Sequence, residues 1–103
     1  GVAVARAAVI DERPQAVAAF VEAHRAFAAT AVNDPAAVAP TVVDLGIVGS
    51  AAVAERAIPQ CSIVCLTGAE MQDALAGYLA MLEARAPQAI GGQLPDDDFY
   101  YLG

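Results

Sequence analysis

The chain has 103 residues, of which 58% are hydrophobic and 17% charged, and its formal net charge is −7. So high a hydrophobic fraction excludes general disorder, and the length favours a single domain spanning residues 1–103. The negative charge, without any basic cluster, argues against nucleic acid or an anionic membrane surface as a partner. Alanine supplies 26 residues and tryptophan none, so we expect closely packed helices rather than bulky core side chains.

No apolar run approaches the roughly 20 residues that span a bilayer, so we expect no direct membrane insertion. Residues 1–103 also lack a charged segment followed by a continuous apolar stretch, so no signal peptide is predicted within them. We expect a soluble, mature or trimmed chain.

The N-terminal stretch GVAVARAAVI alternates imperfectly between small and β-branched side chains. This pattern predicts a strand over residues 2–10, with Arg6 pointing outward. Pro14 then opens a first helix that reaches about Val32, because apolar residues recur at helical spacing from Val17 to Ala31.

A second helix is predicted to begin at Asp34 and Pro35. The carboxylate of Asp34 can accept a free backbone amide, and Pro35 occupies the first helical position, where its missing N–H does no harm. Gly46 supplies a left-handed stop. Pro40 lies inside this segment and removes the hydrogen bond to the carbonyl of Ala36, so we expect a kink or an early break there.

Ser50 can cap a short third helix over residues 51–57, which Pro59 ends. The apolar, β-prone run SIVCL at 62–66 predicts a second strand. In TGAE, Thr67 and Glu70 can form a capping box that starts a fourth helix, which continues to about Ala86. The expected fold is therefore a helix-rich α+β domain with about four helices and two short strands.

His24 is the only histidine, so a catalytic triad could be built only around it, and a cluster of histidine metal ligands is excluded. It falls on the apolar stripe between Val21 and Phe27. We therefore interpret His24 as a packed or half-buried structural residue and predict no catalytic residue.

Cys61 and Cys65 lie four positions apart. Along an extended strand that spacing separates their Cα atoms by about 13 Å, which is too far for a disulfide. We interpret them as packing thiols, whereas on a helix the same spacing would bring them close together.

The C-terminal stretch GGQLPDDDFYYLG combines turn glycines, three aspartates and three aromatics. Adjacent carboxylates converge poorly on a cation, so we expect Asp96, Asp97 and Asp98 to be solvated, with one of them capping a turn, and predict no metal site. Phe99, Tyr100 and Tyr101 have three interpretations: a closing segment packed onto the fold, a ligand-contacting patch, or a disordered end. They are the only candidate ligand-binding residues.

Three stretches carry a resemblance to a known family: ERPQAVAAFVEAHRAFAATAVNDPAAVA, LGIVGSAAVAERAIPQCSIVCLTGAEMQDALAGYLAMLEARAPQAIGG and LPDDDFYY. Together they resemble the C-terminal part of solute-binding proteins of ABC importers, in the group that includes nitrate, taurine, sulfonate and thiamine-precursor binders. Ile47–Pro59 and Leu94–Tyr101 are the most distinctive parts.

This resemblance implies the C-terminal portion of a periplasmic-binding-protein-like, type II α/β fold. It implies a non-enzymatic protein without a cofactor that binds a small solute when complete, delivers it to an ABC permease, and lies in the periplasm or at the cell surface. Residues 1–103 would be a fragment of a longer two-lobed protein, with the solute-contacting residues elsewhere.

Helices that cover a larger sheet expose an apolar face when isolated, so we expect the isolated fragment to form a homo-oligomer. The alternative is a free-standing protein-interaction or oligomerisation module, in which the exposed helical face is itself the function.

Overall fold

The computed structural model describes all residues 1–103. The chain falls into two compact units, residues 1–65 and 66–103. The first unit contains four α-helices and a 3-10 turn at Ile58–Gln60; the helices are α1 (Ala7–Glu12), α2 (Pro14–Asn33), α3 (Pro35–Asp44) and α4 (Ala51–Ala57). The second unit contains α5 (Gly68–Arg85) and two 3-10 turns, Pro87–Ile90 and Asp97–Phe99.

The structure is 69% helical and contains no strand, so the predicted α+β class with two strands, and the α/β class implied by the resemblance, are wrong. The first expected strand, 2–10, is replaced by irregular chain over 1–6 and by α1. Alanine-rich sequence favours helix, and the carbonyl of Arg6 accepts hydrogen bonds from the amides of Val9 and Ile10 at 2.9 and 3.3 Å.

The second expected strand, 62–66, fails for a different reason. A strand exists only when a neighbouring strand takes its backbone hydrogen bonds, and no backbone–backbone hydrogen bond involves residues 62–66. The β-prone side chains are present, but the first unit offers them no sheet.

The predicted helix starts are confirmed for α2, α3 and α4. The Asp34 carboxylate accepts the Ala37 amide at 3.3 Å, and the Ser50 hydroxyl accepts the Val53 amide at 3.3 Å. The start of α5 at Gly68 is also confirmed, but the Thr67 side chain makes no capping hydrogen bond, so the predicted capping box does not form.

Helix α3 runs through Pro40 to Asp44, so the predicted early break is wrong. The two residues before the proline, Val38 and Ala39, are buried, and their packing outweighs the one lost hydrogen bond. Gly46 follows with φ 72°, which confirms the left-handed stop.

The core lies in the first unit and is made mostly of alanine. Helices α3 and α4 share the most extensive contact between any two elements, and the C-terminal part of α2 packs on α3 and on the turn Ile58–Gln60. The buried residues are Ala28, Ala31, Val38, Ala39, Ala54 and Ile58. Small side chains let these helices approach closely, as the composition predicts. The second unit has no buried residue.

Candidate functional site

The first unit carries an open groove along the C-terminal half of α2. Its first part is a cavity of about 220 Å³ between α2 and the segment after the turn Ile58–Gln60. The lining residues are Arg25, Ala28, Ala29, Val32, Asn33, Ile63, Val64 and Cys65. Most of these side chains are apolar, so the cavity is suited to a small hydrophobic group.

A second cavity, of about 330 Å³, adjoins the first because Val32 and Ile63 line both. Ile58, Pro59 and Ser62 complete its lining. Ser62 has φ 51°, a left-handed conformation that is uncommon for a residue other than glycine. This residue begins the segment whose Ile63 packs against the core.

One cation lies at the rim of the groove. The Arg25 Nε lies 3.8 Å from a carboxylate oxygen of Glu22, one turn earlier on α2, and both side chains are largely exposed. An exposed pair of this kind contributes little to stability. The guanidinium therefore stays available to solvent and is not locked into a binding geometry.

The polar side chains that line the two cavities are those of Arg25, Asn33, Ser62 and Cys65. Their lining contains no histidine and no carboxylate, so no general base lies beside the Cys65 thiol. The arrangement can hold an apolar group next to a cation.

His24 is exposed on α2 and does not line the groove. Its ring stacks on Phe20, with centroids 5.8 Å apart and an interplanar angle of 19°. The expectation of a half-buried residue is therefore wrong. The ring belongs to an apolar surface and contacts no carboxylate or hydroxyl partner.

The two cysteines are free thiols. Cys61 is exposed and its Sγ donates to the carbonyl of Ala57 at 3.3 Å, whereas Cys65 is half-buried in the groove. Their environments thus differ, although they lie only four residues apart.

The aspartate run and the aromatic cluster lie together in the second unit. Asp96, Asp97 and Asp98 are exposed, and no three metal-ligating side chains converge anywhere in residues 1–103. No aspartate side chain caps the turn Asp97–Phe99; the Asp96 backbone carbonyl accepts the Phe99 amide at 3.1 Å.

The aromatic candidates form a small cluster rather than a pocket. Phe99 meets Tyr100 edge to face, with centroids 5.3 Å apart. Phe99 remains 57% exposed, while Tyr100 and Tyr101 are half-buried. Neither cavity of the first unit includes any of the three.

Sequence reasoning missed the groove altogether. Ala28 and Val32 were readable as one helical face, but nothing in the sequence predicts that Ile63 and Cys65 return to that face. Burial alternates in this segment, with Ile63 and Cys65 half-buried and Val64 exposed, but all three side chains are apolar, so the sequence carries no matching signal.

No protein-family model, curated protein or solved structure matches this chain. None of the helices is both long enough and apolar enough to cross a membrane. The resemblance to solute-binding proteins therefore stays a prediction from the quoted stretches.

Proposed function

We propose that this chain is the C-terminal part of the solute-binding component of an ABC importer, and that the complete protein binds a small solute without catalysing a reaction. The observation that carries the proposal is the pair of stretches Ile47–Pro59 and Leu94–Tyr101. In this proposal the complete protein works in the periplasm or at the cell surface and delivers its solute to a permease.

The exposed apolar surface supports this proposal. Large hydrophobic side chains are exposed in both units, and only six residues are buried. An ordinary compact domain of this size buries a larger core. A chain that contributes helices to a larger protein would leave its contact surfaces uncovered in this way.

The test uses the complete reading frame from which these residues come. The purified protein is heated with nitrate, sulfonates, amino acids or pyrimidine precursors, and with an unrelated sugar as control. One class should raise the melting temperature, because a ligand at 100 times its Kd stabilises the folded state by about 2.7 kcal/mol.

The genetic context provides a second readout. We expect an upstream coding segment with a secretion signal or lipoprotein cysteine, beside permease and ATPase genes. A reading frame that encodes only these 103 residues, without permease and ATPase genes beside it, would contradict the proposal.

A free-standing interaction module is the second candidate, and one observation favours it. Phe20 and Phe27 remain 56% and 50% exposed on one side of α2, which is unusual for aromatic side chains on a helix that no other element covers there. A specific protein partner that resists stringent washing, and is released by serine at both positions, would favour this candidate over solute binding.

A further inference from the structure

We propose that the groove of the first unit is a binding site for a monocarboxylate with an apolar tail, of the medium-chain fatty acid type. The carboxylate lies at Arg25, and the tail extends along α2 towards Val32 and Ile63. This site is independent of transport, because the proposed function places the solute contacts outside residues 1–103.

One wall of the groove is a single face of α2. Arg25, Ala28, Ala29 and Val32 line the first cavity, and their spacing of three, four and seven residues places them on the same side of the helix. The cation lies at the N-terminal end of this face, and apolar side chains follow it. Seven residues of helix cover about 10 Å, so the wall has one charged end and an apolar remainder.

The opposite wall is the segment after the turn Ile58–Gln60. Ile63 and Cys65 are half-buried, and Ile63 packs against the buried core, which holds this wall in place. The space between the walls is about 220 Å³, and a cavity of about 150 Å³ is enough for benzene. The second cavity, of about 330 Å³, continues the space beyond Ile63. The groove therefore has room for a short hydrocarbon chain.

Arg25 gives the groove a preference for an anion. Its Nε lies 3.8 Å from the Glu22 carboxylate oxygen, which is too long for a hydrogen bond. The planar guanidinium therefore keeps its donors free for a bidentate pair with another carboxylate. No acidic side chain lines either cavity.

Charge also limits the ligand to a single carboxylate. The groove supplies one guanidinium and otherwise uncharged side chains, and the net charge of −7 repels anions of higher charge. A neutral or cationic ligand of the same shape would leave the guanidinium without a partner. An amphipathic monocarboxylate matches both the cation and the apolar walls.

Protection of Cys65 from alkylation tests the site. Cys65 lines the first cavity, whereas Cys61 is exposed and lines neither cavity. The chain is treated with iodoacetamide at increasing concentrations of octanoate, and fragment-ion mass spectrometry follows the rate at each cysteine. Because about ten non-hydrogen atoms in an open groove give affinities near the millimolar range, the titration extends to about 20 mM.

We expect saturating octanoate to slow the alkylation of Cys65 about fivefold, by mass action, and to leave Cys61 unchanged. Octanol and octylammonium at the same concentration should slow Cys65 by less than about twofold, because neither pairs with a guanidinium.

Two pairs of variants assign the effect to the groove. Arg25→Gln should weaken octanoate binding about 5- to 10-fold, whereas Arg56→Gln removes the same charge from α4, lines neither cavity, and should leave binding unchanged. Ala29→Phe fills the first cavity and should abolish the effect of octanoate. Ala26→Phe, at an exposed position of α2 outside both cavities, should preserve it.

Alkylation of Cys65 that octanoate does not change would contradict the proposed site, as would equal protection of both cysteines. Equal losses from Arg25→Gln and Arg56→Gln would show that net charge attracts the anion, without a pair at Arg25. Protection by octanol as strong as that by octanoate would refute recognition of the carboxylate. Solute binding by the complete protein, measured with nitrate and sulfonates, is a separate result that none of these outcomes changes.

Discussion

Replacing Ile58 by alanine should destabilise the first unit strongly. Ile58 is only 8% exposed and is the bulkiest member of a core whose other buried residues are four alanines and one valine. It joins α2 to α4, because the turn that carries it contacts both helices. Few other apolar contacts are available to compensate for its loss.

The magnitude follows from the surroundings of the side chain. Isoleucine-to-alanine substitutions in cores cost about 2–5 kcal/mol, depending on how far the site can collapse. Ile58 already borders a cavity of about 330 Å³, so the space left behind joins an open groove instead of forming a sealed void. We therefore expect a loss near the low end, about 2–3 kcal/mol.

Urea unfolding followed by circular dichroism at the helical band measures this loss. With a typical slope of about 1–3 kcal/mol per molar urea, the midpoint should fall by about 0.7–3 M. Ile47→Ala is the matched control, because Ile47 belongs to the same unit but is 67% exposed. That substitution should change stability by about 0.5 kcal/mol or less.

Equal midpoints for Ile58→Ala and Ile47→Ala would refute the reasoning. That result would mean that the cluster around Ala39 and Ala54 does not hold the first unit together. A larger loss of unfolding free energy from Ile47→Ala than from Ile58→Ala would mean that the exposed surface contributes more to stability than the buried cluster does. A dimer that covers Ile47 would give this result.

Three further predictions concern single side chains. Asp34→Ala should cost about 0.5–2 kcal/mol in urea unfolding, because the carboxylate caps α3 by accepting the Ala37 amide, while Asp34→Asn should retain most of the stability; equal losses would exclude the cap. Phe99→Ala should lower the free energy of unfolding by about 1 kcal/mol, because the ring is 57% exposed. Truncation of a buried phenylalanine costs about 3–5 kcal/mol, and a loss in that range would show that the ring is covered in solution. Both cysteines should react with a thiol reagent in the native protein, Cys61 faster than the half-buried Cys65, and the reverse order would contradict the groove geometry.

The elements predicted correctly depend on local chemistry. Pro14, Asp34 and Ser50 start helices through hydrogen bonds and backbone angles that involve only the next few residues. Gly46 stops α3 for an equally local reason. Such signals act within one or two turns, so the sequence alone predicts them.

The candidate site was less predictable. The sequence left three interpretations of Phe99, Tyr100 and Tyr101 open, because the exposure of these side chains depends on which other residues pack against them. The groove next to Arg25 depends on the return of Ile63 to the end of α2. Neither relation follows from spacing along the chain.

By itself the sequence determined where the helices α2, α3 and α4 begin, and it determined the small-residue character of the core, because capping, proline geometry and alanine content act locally. Only the tertiary structure decided that SIVCL would not be a strand and that Phe20, His24 and Phe27 would remain uncovered. Strand formation and burial require a partner distant in sequence. A pattern of side chains predicts what a segment can pair with, and the neighbours present in space decide whether it does.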